Sequence, residues 1–116
     1  MRIIILVTSI LFFQAISADA IILPIRERAQ VIDEIIDERI ETVLPDLMER
    51  TGIDLWVIIS REYNEDPVLK TFLPSTWQTA RRRTILLIYN PGSGEPLETL
   101  AVARYGVGKT FIKAWD

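Results

Sequence analysis

Two apolar runs constrain this chain more than anything else in it. Ile53 to Ser60 contains Leu55, Trp56, Val57, Ile58 and Ile59 with almost no polar interruption, and Ile85 to Tyr89 repeats the pattern. Neither run alternates polar with apolar residues. A strand with one wet face alternates; a strand covered on both faces does not. The runs therefore predict central strands of a sheet held between helical layers. A turn-forming stretch, Asn90-Pro91-Gly92-Ser93-Gly94-Glu95-Pro96, follows the second run. It predicts an antiparallel pairing of Ile85–Tyr89 with Leu97–Arg104.

A long helix precedes the first strand. Pro24 suits a helix entrance, where its missing N–H costs nothing. From there Ile32, Ile35, Ile36, Ile40, Val43, Leu44, Leu47 and Met48 recur at three-and-four spacing, as one buried face requires. Pro45 cannot donate to the Glu41 carbonyl and is expected to kink the helix or split it in two. Gly52 is expected to close it as a left-handed cap, with Ile53 folding back. Between Pro67 and Pro74, Val68, Leu69, Phe72 and Leu73 predict one or two amphipathic helical turns. The fold class that follows is α/β, a mixed β-sheet flanked by helices.

The first residues read differently. Arg2 is followed by an apolar run from Ile3 to Phe13, and Ala18-Asp19-Ala20 fits the small-x-small rule. This predicts a signal peptide over residues 1–20, cut after Ala20, and a secreted or periplasmic protein. The alternative is an uncleaved membrane anchor, although the run is short of the about 20 apolar residues that a spanning helix needs. Residues 21–116 then form one domain. Its last stretch carries Phe111, Ile112 and Trp115. That reads either as a domain continuing beyond Asp116 or as a C-terminal helix docking on the sheet.

Composition removes several chemistries. There is no cysteine and no histidine. Disulfides, thiolate sites, imidazole bases and every Ser, Cys or His triad are therefore excluded. Ser60 and Thr84 have nothing to activate them. The formal charge is −3, and no strongly basic face points to nucleic acid. Ala103-Arg104-Tyr105-Gly106-Val107-Gly108-Lys109-Thr110 satisfies a relaxed phosphate-loop pattern. That chemistry needs a helix after the loop, so a Gly-rich turn leaving a strand is the competing reading. Glu62, Glu65 and Asp66 lack the alternating series of a calcium loop and read as a solvated loop. Because open α/β sheets bind ligands beyond the carboxyl ends of their strands, Arg61, Glu62, Tyr63 and Asn64 are candidates for a substrate entrance. Arg81, Arg82 and Arg83, with Trp77 beside them, have the composition of an interface anchor.

Four motifs, in order, carry a resemblance. They are Arg26-Glu27-Arg28, Gly52-Ile53-Asp54-Leu55-Trp56, Arg61-Glu62-Tyr63-Asn64-Glu65-Asp66-Pro67 and Ala80-Arg81-Arg82-Arg83-Thr84-Ile85-Leu86. Together they resemble the N-terminal domain of secreted members of the creatinase, prolidase and Xaa-Pro aminopeptidase family. The resemblance implies a non-catalytic domain that assembles oligomers and walls a substrate entrance. It also implies a separate pita-bread catalytic domain, which this chain stops short of. That domain would bind two divalent metals (Mn, Co or Zn) through two Asp, one His and two Glu, and hydrolyse bonds adjacent to proline. None of those ligands is expected within this chain. A stand-alone secreted binding module and, more remotely, a phosphate-loop nucleotide binder are the alternatives.

Overall fold

The computed structural model describes residues 22–92 and 94–115. The expected signal peptide over residues 1–20 lies outside them. Among the described residues, no helix is long and apolar enough to cross a membrane.

Helix α1 spans Ile25–Glu38 and α2 spans Leu44–Thr51. A π-helical turn, Arg39–Val43, joins them. Pro45 explains its position. An α-helical chain would place the proline ring against the Glu41 carbonyl. The wider π turn redirects the ladder, so that the Leu44 N–H reaches back to the Arg39 carbonyl. The expected kink or split thus takes the form of an inserted π turn. Gly52 ends α2 at φ 67, ψ 32, in the left-handed region. Its N–H donates to the Glu49 carbonyl and the Ile53 N–H to the Met48 carbonyl, which satisfies the last turn as anticipated.

Only part of the apolar stripe is buried. Ile36, Ile40, Leu44 and Met48 form an inward row, whereas Ile32, Ile35 and Val43 are exposed. Strand β1 follows (Leu55–Arg61), then a short helix α3 (Pro67–Lys70), strand β2 (Arg83–Tyr89), strand β3 (Glu98–Val102) and strand β4 (Ile112–Trp115). Asp66 caps α3, its carboxylate accepting from the Val68 N–H at 2.7 Å.

The four strands form one mixed sheet in the order β1-β2-β3-β4. The β1–β2 and β2–β3 pairs are antiparallel, and β3–β4 is parallel. The hairpin expected at Asn90–Pro96 is the β2–β3 connection. Of the two readings of the stretch after Thr110, the docking helix is not what forms: buried Phe111 leads into strand β4, in which Trp115 is 75% exposed.

The inward face of the sheet carries Ile58 and Ser60, Thr84, Leu86 and Ile88, and Ala101, all buried. The apolar members pack with the inward helix row and with Leu69, Phe72, Leu73, Val107 and Phe111 into one core. Within it Phe72 meets Trp56 and Phe111 edge-on at 5.8 and 6.0 Å. Polar anchors also tie α1 down. The Asp33 carboxylate accepts from the Ser75 N–H and hydroxyl, and the Thr110 hydroxyl donates to Asp37.

The outward face overturns the expectation of strands covered on both sides. Register places Ile59, Ile85 and Val102 in one row, Val57, Leu87, Leu100 and Ile112 in the next, and Leu55 and Tyr89 in a third. No element among those described covers them. Ile59 is 65% exposed and Ile112 67%. Nor is β1 central: among the described residues it forms one edge of the sheet and β4 the other. The apolar runs follow from an apolar outer face, not from a second helical layer within the described residues.

Candidate functional site: an arginine-lined cleft

At one end of the outer face the apolar rows stop at a pair of arginines. Arg61, the last residue of β1, stands directly opposite Arg83, the first of β2. Like charges at facing positions repel. Two further features crowd the same end. Tyr63 and Arg82 both adopt positive φ, at 66° and 56°, a region that costs a side-chain-bearing residue about 1–2 kcal/mol. The turn after β1 is closed by the Asn64 N–H donating to the Arg61 carbonyl at 3.0 Å. The Glu62 N–H donates to the Arg82 carbonyl at 2.7 Å, so the two loops are tied side by side.

The loop from Trp77 to Arg83 is anchored from beneath. Ala80 and Thr84 are fully buried. The Thr84 hydroxyl accepts from the Arg81 N–H at 3.2 Å. This fixes Arg81 so that its guanidinium lies over the Trp77 ring, 4.7 Å from the centroid. Across the cleft, Arg104 lies over Tyr105 at 5.6 Å.

The result is an open cleft of about 1350 Å³. It gathers Arg61, Glu62, Tyr63, Trp77, Arg81, Arg82 and Arg83, seven of the residues singled out in the sequence. Asn64 is not part of its wall; it closes the turn behind Arg61. Sequence reasoning misses Arg104 and Tyr105, which arrive from the end of β3, and the apolar floor of Ile85 and Val102. In the sequence Arg104 is absorbed into the phosphate-loop pattern. Only strand register brings it to the same end of the sheet as Arg83.

Chemically the cleft offers binding. Five guanidinium groups face one carboxylate, Glu62. No thiol or imidazole exists in the chain, and one carboxylate makes no acid–base pair. Among the described residues, no carboxylate forms an ion pair with any of the five arginines.

The other candidate sites have structural roles. The phosphate-loop pattern forms the β3–β4 connection, where Val107 and Phe111 exchange backbone hydrogen bonds at 3.1 and 3.2 Å. Strand β4 follows it where a nucleotide loop would need a helix. Its Thr110 is held by Asp37, and the Thr110 carbonyl accepts from the Thr99 hydroxyl. In the acidic loop, Asp66 caps α3 and a Glu65 carboxylate oxygen accepts from the Tyr63 N–H at 3.3 Å. Among the described residues no group of three or more acidic side chains could hold a metal.

In comparisons with known proteins, no family model, no curated protein and no solved structure matches this chain.

Proposed function

We propose that this chain is the N-terminal, non-catalytic assembly and substrate-entrance domain of a secreted metallopeptidase resembling Xaa-Pro aminopeptidases. The observation that supports the reading is the outer sheet face, three rows of exposed and half-buried apolar side chains running into a cleft of arginines. Contiguous apolar surface rimmed by charge is what a docking face looks like. In this reading a pita-bread catalytic domain or a second copy of the chain covers it, and the cleft contributes to the wall of the entrance. The mature protein starts after Ala20 and is exported.

The two divalent ions implied for such a peptidase do not fit the residues of this chain. The sequence has no histidine, and among the described residues no group of three or more acidic side chains could hold a metal. In the proposed parent, Mn, Co or Zn and the hydrolysis of bonds next to proline belong to the catalytic domain.

A second reading is a stand-alone secreted binding module. The cleft favours it, because it concentrates recognition groups without a catalytic pair. Of the two aromatic residues near Asp116 that an independent module would bury, Phe111 is inside and Trp115 is outside.

The experiment that separates the readings is the intact mass of the natural secreted protein, read with the coding frame past the Asp116 codon. A larger product carrying two Asp, one His and two Glu ligands, active on proline-containing peptides, supports the first. A secreted product ending at Asp116 removes it and leaves the binding module.

A further inference from the structure

We propose that the arginine cleft is a binding site for an acidic polypeptide segment, gripping carboxylates spaced along an extended chain. Such binding is a property of this domain alone and does not depend on what a neighbouring domain hydrolyses.

Charge points to the ligand first. The chain as a whole carries −3, yet five of its 13 Lys and Arg residues converge on one cleft with a single carboxylate. Unpaired guanidinium groups this close repel one another, most directly at the facing pair Arg61 and Arg83. Arg82 and Tyr63 add backbone strain at the same place. Costs concentrated at one site, where ring stacking engages only Arg81 and Arg104 and no described carboxylate pairs with any of the five, point to a ligand that offsets them. A bound carboxylate would accept bidentate hydrogen bonds from such groups.

Two of the five arginines are also preorganised. Arg81 is held over Trp77 and its backbone is fixed by buried Thr84. Arg104 is held over Tyr105. A guanidinium already stacked gives up little freedom on binding.

Size and floor decide the class of ligand. At about 1350 Å³ the cleft exceeds the roughly 300–1,000 Å³ of small-molecule pockets. Its floor includes the apolar Ile85 and Val102, continuous with the exposed sheet face. A free phosphate would use neither the length nor the floor. A polypeptide with acidic residues between apolar ones would use both. Nucleic acid is disfavoured because Trp77 and Tyr105 have guanidinium groups over their rings, where bases would have to stack, and because the chain is net acidic.

The test uses the full chain and a labelled peptide alternating Glu with Ala, read by fluorescence anisotropy at low ionic strength. Binding is expected, and R81A/R83A is expected to weaken it about 100-fold, roughly tenfold for each guanidinium removed from a bound carboxylate. R81K/R83K keeps the charge but not the fork and is expected to weaken binding about tenfold. R26A/R28A removes the same charge from the start of α1, outside the cleft, and should stay within about twofold. All these side chains are exposed, and a single cooperative urea transition for each variant verifies the fold. Failure of the wild-type chain to bind overturns the proposal. So does an equal weakening in R26A/R28A, inorganic phosphate binding as tightly as the peptide, or a single-stranded oligonucleotide binding more tightly.

Discussion

Leu86 and Leu87 are adjacent in β2 and point to opposite faces, so truncating each in turn measures how differently the two faces are covered. Leu86 is 0% exposed and sits within the core. Leu86→Ala removes buried methyl groups and leaves a cavity, at a cost of about 3 kcal/mol. Leu87 stands on the outer face between Val57 and Leu100 and is only half-buried. Solvent can fill the space it vacates, so Leu87→Ala should cost about 1 kcal/mol in the monomer. The gap of about 2 kcal/mol corresponds to roughly a 30-fold difference in unfolding constants. Urea unfolding of the full chain, followed by tryptophan fluorescence at low protein concentration, reads both numbers. At higher concentration the Leu87→Ala cost should grow, because association through the outer face stabilises the folded state by mass action. Equal costs for the two variants in a dilute monomer would refute the one-sided architecture, since they would mean that both faces are packed within the chain.

Two glycines separate backbone strain from steric strain. Gly52 and Gly108 have nearly the same φ, +67° and +68°. A Cβ at Gly52 would meet nothing within 4 Å, so Gly52→Ala should cost about 1 kcal/mol. At Gly108 the same Cβ would approach the Pro74 Cβ to 3.1 Å, and Gly108→Ala should lower the urea midpoint further than Gly52→Ala. Asp66→Ala removes the cap of α3 and should cost about 1 kcal/mol, with hydrogen exchange rising first at the Val68 amide.

Local chemistry is legible in this sequence; mutual position is not. The helix with its Gly52 cap, strands β1 to β3, the antiparallel hairpin and the short helix at Pro67 all follow from turn residues and periodicity close to their own positions. Pro45 announces an interruption, but its form as a π turn depends on the core holding Ile36 and Leu44 inward on either side of it and Ile40 inward within it. The apolar runs mislead for a physical reason. A strand whose outer face is apolar has the same composition as one covered by a second layer, because side-chain chemistry records what a face prefers, not what lies against it. The cleft is half legible. Arg81 to Arg83 and Trp77 are neighbours in sequence, but Arg61 and Arg104 join them only through strand register. The end of the chain misleads as well, since Ile112 to Trp115 has too few residues for its period to declare a strand.

Among the described residues β1 and β4 are the outermost strands of the sheet, and this bears on how copies of this chain can associate. Strand β1 and strand β4 are different sequences, so joining one copy's β1 edge to another's β4 edge uses unlike surfaces. Such a contact closes into a ring only where the rotation between copies allows it, and otherwise repeats as a filament. Contact through the outer face can be self-complementary, two copies meeting about a two-fold axis, and it saturates at a dimer. The same four strands thus hold a finite and an unlimited mode of growth. A cover over the apolar face removes the finite mode and leaves the edges untouched, so protection against polymerisation has to come from whatever shields β1 or β4.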